Sequence, residues 1–260
     1  MLKEILYFIV IIFANTIGSI SGMGGGVIIK PAFDFIALDS VATISFYSTV
    51  AVFVMSSVST VRQVQSGVKL EFSRLLYLAL GSLLGGYLGS LLFDGLLALT
   101  NDGTAQLTQI VITILVLVFS LLASKNYFKS YQLQGIFWYV TCGIILGLLS
   151  SFLGIGGGPI NVSLFMILFS VPIKLATVYS IATIFFSQLS KILSLMFVVH
   201  FNHFDWSVLV FVVCSAILGG ILGAKCSKVL SEDKVVRVFQ VVVLAVLTLN
   251  GYNLYTLIVG

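Results

Sequence analysis

Charge in this 260-residue chain is confined to short clusters, and the gaps between them are long. Residues 40–61, 75–93, 103–124, 206–224 and 238–260 contain no Asp, Glu, Lys or Arg, and 130–173 runs uncharged for 44 residues. A helix needs about 20 apolar residues to cross a bilayer. Most of these gaps are one crossing long, and the 44-residue gap is two. Charged residues make up 8% of the chain, against roughly 25% in soluble domains. Mean hydropathy is +1.17. The expectation is an all-α polytopic integral membrane protein, one domain over 1–260, with no room for a soluble module. Residues 1–22 lack the basic flank and the cleavage site of an export signal, so no cleavable leader is expected.

The chain also resembles itself at an offset of 132 to 134 residues. GMGGG at 22–26 matches GIGGG at 154–158, and Ala42-Thr43 matches Ala176-Thr177. Leu84-Gly85-Gly86 matches Leu218-Gly219-Gly220, with Gly89 on Gly223. Two related halves are expected, 1–125 and 130–260, an organisation common among secondary transporters.

Lys and Arg in short loops set orientation. Arg62, Lys69 and Arg74 form one cluster, Lys125 and Lys129 a second, and Lys225, Lys228, Lys234 and Arg237 a third. All three are assigned to the cytoplasm, which leaves Asp94, Asp102 and the loop at 200–205 outside. Lys129 and Lys174 then share a side, so the 44 residues between them must enter and turn back. Residues 27–38 would make about 18 Å of helix, too short for a core of about 30 Å. Each half is therefore read as a broken or re-entrant glycine-rich hairpin plus three crossings. The halves become inverted repeats with both termini outside. Eight full helices is the rival count.

Three successive glycines are a poor packing device, since one small residue per turn suffices. They serve better as a break, because glycine admits positive φ. Pro159 follows the second motif and suits the first position of a helix. Short helices are predicted to begin near Pro159 and near Val27. Their N-terminal N–H groups would favour an anion, so Gly24, Gly25, Gly26, Gly156, Gly157 and Gly158 are candidate binding positions. Lys30 and Asn161 follow the motifs closely enough to approach the same anion.

Lys191 lies deep in an apolar segment, where a charge marks a functional candidate. Ser180, Thr183, Ser187 and Ser194 share its helical face and Gln188 is adjacent, a polar stripe expected to line a cavity. In the first half Ser45, Thr49, Ser56 and Thr60 form a similar stripe, with Thr49 aligned on Thr183, Ser56 on Ser190 and Thr60 on Ser194. Thr49, Thr183, Ser187, Gln188 and Lys191 join the candidate site. His200 and His203 read as a solvated outer loop. Cys142, Cys214 and Cys226 lack metal-ligand spacing and read as packing residues. The acids sit at segment ends, and no nucleophile–base set is visible. No cofactor, metal or catalytic residue is expected, and the net charge of +4 reports topology rather than a nucleic-acid partner. The expected partners are a small anionic solute and the lipid bilayer, with a homo-oligomer left open.

The paired motifs GMGGG and GIGGGPIN, with the segment order and length, resemble the sulfite exporter TauE/SafE family of bacterial membrane transporters over essentially the whole chain. The resemblance implies two repeated halves in the bacterial cell (inner) membrane. It also implies transport of a small sulfur-containing anion, sulfite or an organosulfonate, by a secondary transporter working as an exporter. The glycine segments are implied as the substrate region. Val27 stands where the second motif has Pro159, so the two halves of the site are not expected to be equivalent. The alternatives are a passive anion channel built from paired half-helices and a membrane enzyme.

Overall fold

The computed structural model describes residues 2–65, 71–125, 127–198 and 205–259. Lys69, His200 and His203 lie outside the described residues. The described chain forms ten helices: α1 (Leu2–Ser21), α2 (Gly26–Ile36), α3 (Val41–Gln65), α4 (Phe72–Leu99), α5 (Asp102–Ser124), α6 (Ile136–Leu153), α7 (Pro159–Phe169), α8 (Ile173–Val198), α9 (Trp206–Val229) and α10 (Glu232–Val259). Eight are long and apolar enough to cross a bilayer. The other two, α2 and α7, have 11 residues each, about 16 Å.

Each short helix returns along the long helix before it. Lys3, at the start of α1, donates to the carboxylate of Asp39 just beyond α2 at 2.7 Å, and the Tyr7 hydroxyl donates to the same group at 2.6 Å. In the second half the Tyr139 ring, at the start of α6, stacks on Phe169, the last residue of α7, at 4.7 Å. The chain thus comes back to the end from which it set out. The arms are unequal, because the break comes only after 20 residues in α1 and 18 in α6. Both long arms reach crossing length, so the expected hairpins do not consist of two half-helices.

Packing partners come in matched sets. α1 lies on α9 as α6 lies on α4; α3 meets α9 as α8 meets α4; α3 also crosses α8, and α5 lies on α10. Glycine sets the closest of these approaches. A Cβ on Gly85 would stand 2.1 Å from the Ile144 carbonyl oxygen, and one on Gly223 would stand 2.5 Å from the Ser19 Cβ. The glycines of α4 and α9 are therefore contact surfaces between helices.

Single contacts match as well. The Tyr47 hydroxyl accepts the N–H of Asp205 at the start of α9, and the Tyr179 hydroxyl accepts the N–H of Glu71 at the start of α4. Tyr7 stacks on Phe33 at 3.8 Å and meets Tyr47 edge-on. Tyr139, Phe165 and Tyr179 stand 132 positions after these three and form a second cluster, joined through Phe169. Each cluster carries a cation on its first tyrosine, Lys3 over Tyr7 at 5.5 Å and Arg74 over Tyr139 at 5.8 Å.

These contacts correct the alignment of the polar stripes. Across α3 and α8 the offset is 132, not 134, and the two extra residues enter between α8 and α9. Ser45 therefore corresponds to Thr177, and Thr49 does not correspond to Thr183.

Arg74, Lys129, Lys174 and Lys228 gather at one end. Lys174 and Lys228 line a single cavity of about 350 Å³ with Gln63 and Glu232. Lys129 stands beside Pro172 in a neighbouring cavity, and Arg74 lies over Tyr139 at the start of α6. The opposite end carries Lys3, Asp39 and Asp205. The Ser207 hydroxyl and N–H hold the Asp205 carboxyl, which caps α9, below the usual carboxylate range.

Candidate functional site

The break is built the same way in both halves through its third residue, Gly24 in the first and Gly156 in the second. Gly22 and Gly154 end α1 and α6 in the left-handed conformation, at φ 73° and 66°. The N–H of Gly24 then reaches back to the Gly18 carbonyl, and that of Gly156 to Ser150. Gly24 and Gly156 are left-handed again, at φ 75° and 69°. The turns then part. Gly25 is right-handed and α2 begins at Gly26. Gly158 precedes a proline, which disfavours the α region. It is held at φ 72° and ψ −171°, and α7 begins at Pro159. The inequivalence expected from Val27 is thus a difference in backbone path.

The glycines also let the two turns touch. The N–H of Gly158 donates to the Met23 carbonyl at 2.9 Å. A Cβ on Gly24 would stand 2.9 Å from the Gly156 carbonyl oxygen, and one on Gly26 would stand 2.3 Å from that of Ile155. The α3–α8 crossing seals the pair. Gly22 abuts Thr177 and Gly154 abuts Ser45, while the Ser180 hydroxyl donates to the Gly22 carbonyl. Break and close packing are one feature, because only a residue without a side chain fits at these glycine positions.

Two buried lysines converge beside the second turn. Lys191 is 1% exposed. Its ammonium donates to the Ser45 hydroxyl at 2.9 Å and the Ser151 carbonyl at 2.8 Å, and lies 5.2 Å from the centre of the Phe93 ring. Lys30 is 3% exposed and pairs with Asp34 at 2.9 Å, one turn further along α2. The position a Cβ on Gly154 would take is 2.6 Å from the Ser45 hydroxyl and 3.6 Å from the Lys30 Cδ. Lys30 and half-buried Asp94 both act on Lys191 through their charge, the first repelling it and the second attracting it.

Unpaired polar groups surround the same turns. Asn161, in the first turn of α7, is 1% exposed, and neither atom of its amide has a partner among the described residues. Its nitrogen would lie 2.8 Å from a Cβ on Gly157. The buried Ser48 hydroxyl faces Gly26 and the Asn15 carbonyl oxygen faces Gly25, both without a partner among the described residues. Gln188 donates to the Ser150 hydroxyl, which also bonds that of Ser187, and its own carbonyl oxygen has no partner among the described residues. Unpaired polar atoms in an interior are costly, and here they cluster at two helix starts that lack side-chain caps.

Several expectations change. The α8 stripe faces packed protein rather than a cavity: Ser190 donates to the Leu83 carbonyl and Lys191 is held by α3 and α6. Thr49 and Thr183 turn their hydroxyls to the Ser45 and Tyr179 carbonyls of their own helices, so neither is turned to the lysines. Asp34 is not at a segment end in the sense expected. Its side chain is 3% exposed, because α2 is enclosed by α1, α3 and α10. Asn15, Ser48, Ser150 and Ser151 were not predicted, and Ser45 was read only as a member of the first polar stripe. Asn15 is the single amide of its apolar stretch and Ser150-Ser151 stand two residues ahead of the second motif, which is the signal they offered.

The profile of the family described as sulfite exporter TauE/SafE matches residues 7–250. The chain is 25% identical to the "probable membrane transporter protein YunE" of Bacillus subtilis (strain 168), an alignment covering 90% of this chain and 92% of that one. No solved structure matches. Eight crossing-length helices and a profile match over nearly the whole chain lead to one assignment: this multi-pass integral membrane protein belongs to the sulfite exporter TauE/SafE family of membrane transporters.

Proposed function

We propose that the protein is a secondary transporter that exports a small sulfur-containing oxyanion, sulfite or an organosulfonate, bound between the two glycine turns. The observation that carries this reading is the convergence of Lys191 and Lys30 on Gly154, beside the unpaired Ser48 and Asn161 at the starts of α2 and α7. An oxyanion there would replace the Ser151 carbonyl as the acceptor for Lys191, turning a neutral-acceptor bond into a charge-assisted one. It would also meet two helix N-termini with uncommitted N–H groups. Gly25, Gly26 and Gly157 supply that backbone, while Gly24, Gly156 and Gly158, whose N–H groups hold the turns in shape, place it beside the anion. Ser187 and Gln188 form the adjoining polar wall, and Thr49 and Thr183 shape it from their own helices.

The halves 1–125 and 130–260 are read as inverted repeats, each with a re-entrant hairpin. The matched contacts, at an offset of 132 up to α8 and 134 from α9 on, and the return of α2 and α7 to the starts of their hairpins support this. Positive residues lie at the cytoplasmic side, so the Tyr7 cluster closes the outer end and the Tyr139 cluster the inner one. Rocking of one half on the other would open them in turn. Transport of sulfite, thiosulfate, sulfoacetate and simple carboxylates by proteoliposomes tests the reading. Saturable exchange selective for the sulfur anions supports it. Flux that does not saturate would indicate a channel.

A further inference from the structure

Lys30 and Asp34 form an ion pair in a place where ion pairs are expensive. Both side chains are 3% exposed, and removing charges from water costs several kcal/mol each even after relaxation. The pair does not link two elements, since both residues lie on α2 one turn apart. An i,i+4 pair on one helix adds only about 0.5 kcal/mol to helix stability, so fold stability does not account for it.

Its position does. The Lys30 stem runs past Gly154, where the absent side chain leaves the path open toward Ser45 and the Lys191 ammonium. A lysine has a flexible four-carbon stem, so its ammonium can swing from Asp34 to a ligand held by Lys191 without backbone movement. Repulsion from Lys191 favours Asp34 until an anion arrives. On its other side, Asp34 borders a void of about 10 Å³ shared with Gln109, Thr113 and Asn250, the scale of one water. The Gln109 side-chain nitrogen donates to the Phe152 carbonyl, and its oxygen is buried without a partner among the described residues. That oxygen is an acceptor suited to a protonated carboxyl.

Among the described residues the charged and titratable groups facing α2 are few, with Lys3 and Asp39 paired just beyond its C-terminal end. α8 contributes Lys191 and α1 contributes Tyr7, stacked on Phe33. α3 contributes Tyr47 behind Tyr7, and α10 contributes Tyr252 against Phe35. From α5 and the second turn come neutral Gln109, Thr113 and Ile155.

Resting on the reading of the site given above, we propose that Lys30 and Asp34 couple transport to protons: a bound divalent oxyanion draws Lys30 away, Asp34 takes one proton, and anion and proton cross together. Among the fully buried groups, Lys30, Asp34 and Lys191 sum to one positive charge, which a divalent anion reverses and one proton returns to neutrality. A carboxylate left unpaired in an apolar interior neutralises in this way rather than staying charged. The loaded unit of anion and proton carries one net negative charge. An inside-negative potential therefore drives it outward, by about 2.3 kcal/mol per 100 mV, which suits an exporter.

The test uses the full chain in proteoliposomes with the voltage clamped and a pH dye inside. The probe is radiolabelled thiosulfate, which stays divalent across neutral pH. One proton is expected to enter with each anion, and one pH unit, acid outside, to raise accumulation toward about tenfold. Asp34→Asn is expected to keep thiosulfate exchange and lose both effects, and Asp34→Glu to restore them. Net thiosulfate uptake without proton movement in the wild type, or accumulation by Asp34→Asn equal to wild type, overturns the coupling and leaves the anion site standing. If neither thiosulfate nor sulfite exchanges, both readings fall. Should Asp34→Asn not be recovered folded, the wild-type proton-to-anion ratio decides: one supports the coupling and zero overturns it.

Discussion

The ammonium of Lys191 donates to the carbonyl of Ser151 at 2.8 Å, three residues before the glycine that ends α6. The charge buried on α8 is thus tied to the backbone of the break itself. Removing it should separate function from folding. Lys191→Met keeps the length of the stem and leaves a buried hydroxyl and carbonyl without their donor, a loss of about 1–3 kcal/mol. Sulfite exchange is expected to fall at least tenfold while the purified protein stays monodisperse. Size-exclusion chromatography and exchange in proteoliposomes, run on the same preparation, check both halves of that expectation.

Glycines in the two environments should respond oppositely to alanine. A Cβ on Gly156 would meet the Val52 side chain at 2.4 Å and the residue sits at φ 69°, so Gly156→Ala combines a clash with backbone strain. Gly85→Ala would push α4 off α6. Both should lower the melting temperature in detergent by several degrees. Gly95 is helical with open space around it, and Gly95→Ala should raise stability by up to about 1 kcal/mol.

Much of this arrangement could be read from residue order. The charge-free gaps located the crossing helices, and Pro159 marked the start of α7 to the residue. The αL breaks followed from glycine. The partners of Lys191 could not be read, because Ser45 and Ser151 reach it across the crossing of the two halves, which no local pattern encodes. The register was obscured for a related reason. The Ala-Thr pair at 42–43 recurs at 176–177 by coincidence, whereas the contacts match Ser45 with Thr177. The burial of Asp34 was hidden too, since a charge eight residues into an 11-residue helix looks terminal until other helices enclose it.

Opposite orientation of the halves has its own test. On a background with Cys142, Cys214 and Cys226 replaced, single cysteines at Asn101 and Ser231 occupy the α4–α5 and α9–α10 turns. An impermeant maleimide applied to intact cells should label Asn101→Cys and spare Ser231→Cys. Labelling of both from the same side would exclude the inverted arrangement.

The aromatic clusters should behave as two doors. Tyr7→Ala opens the outer cluster and Tyr139→Ala the inner one, each removing a stacked ring. Each is expected to slow exchange and to bias access toward its own side. Labelling rates of a cysteine at Ser48 from the two sides should shift in opposite directions, and equal shifts would deny the clusters a gating role.

The most direct measurement is saturable exchange of radiolabelled sulfite by the purified protein, wild type against Lys191→Met, in proteoliposomes preloaded with unlabelled sulfite. An anion site between the glycine turns requires wild-type counterflow that saturates, and its loss in the variant without loss of the folded protein. Equal counterflow by both proteins, or flux proportional to concentration without saturation, would contradict it.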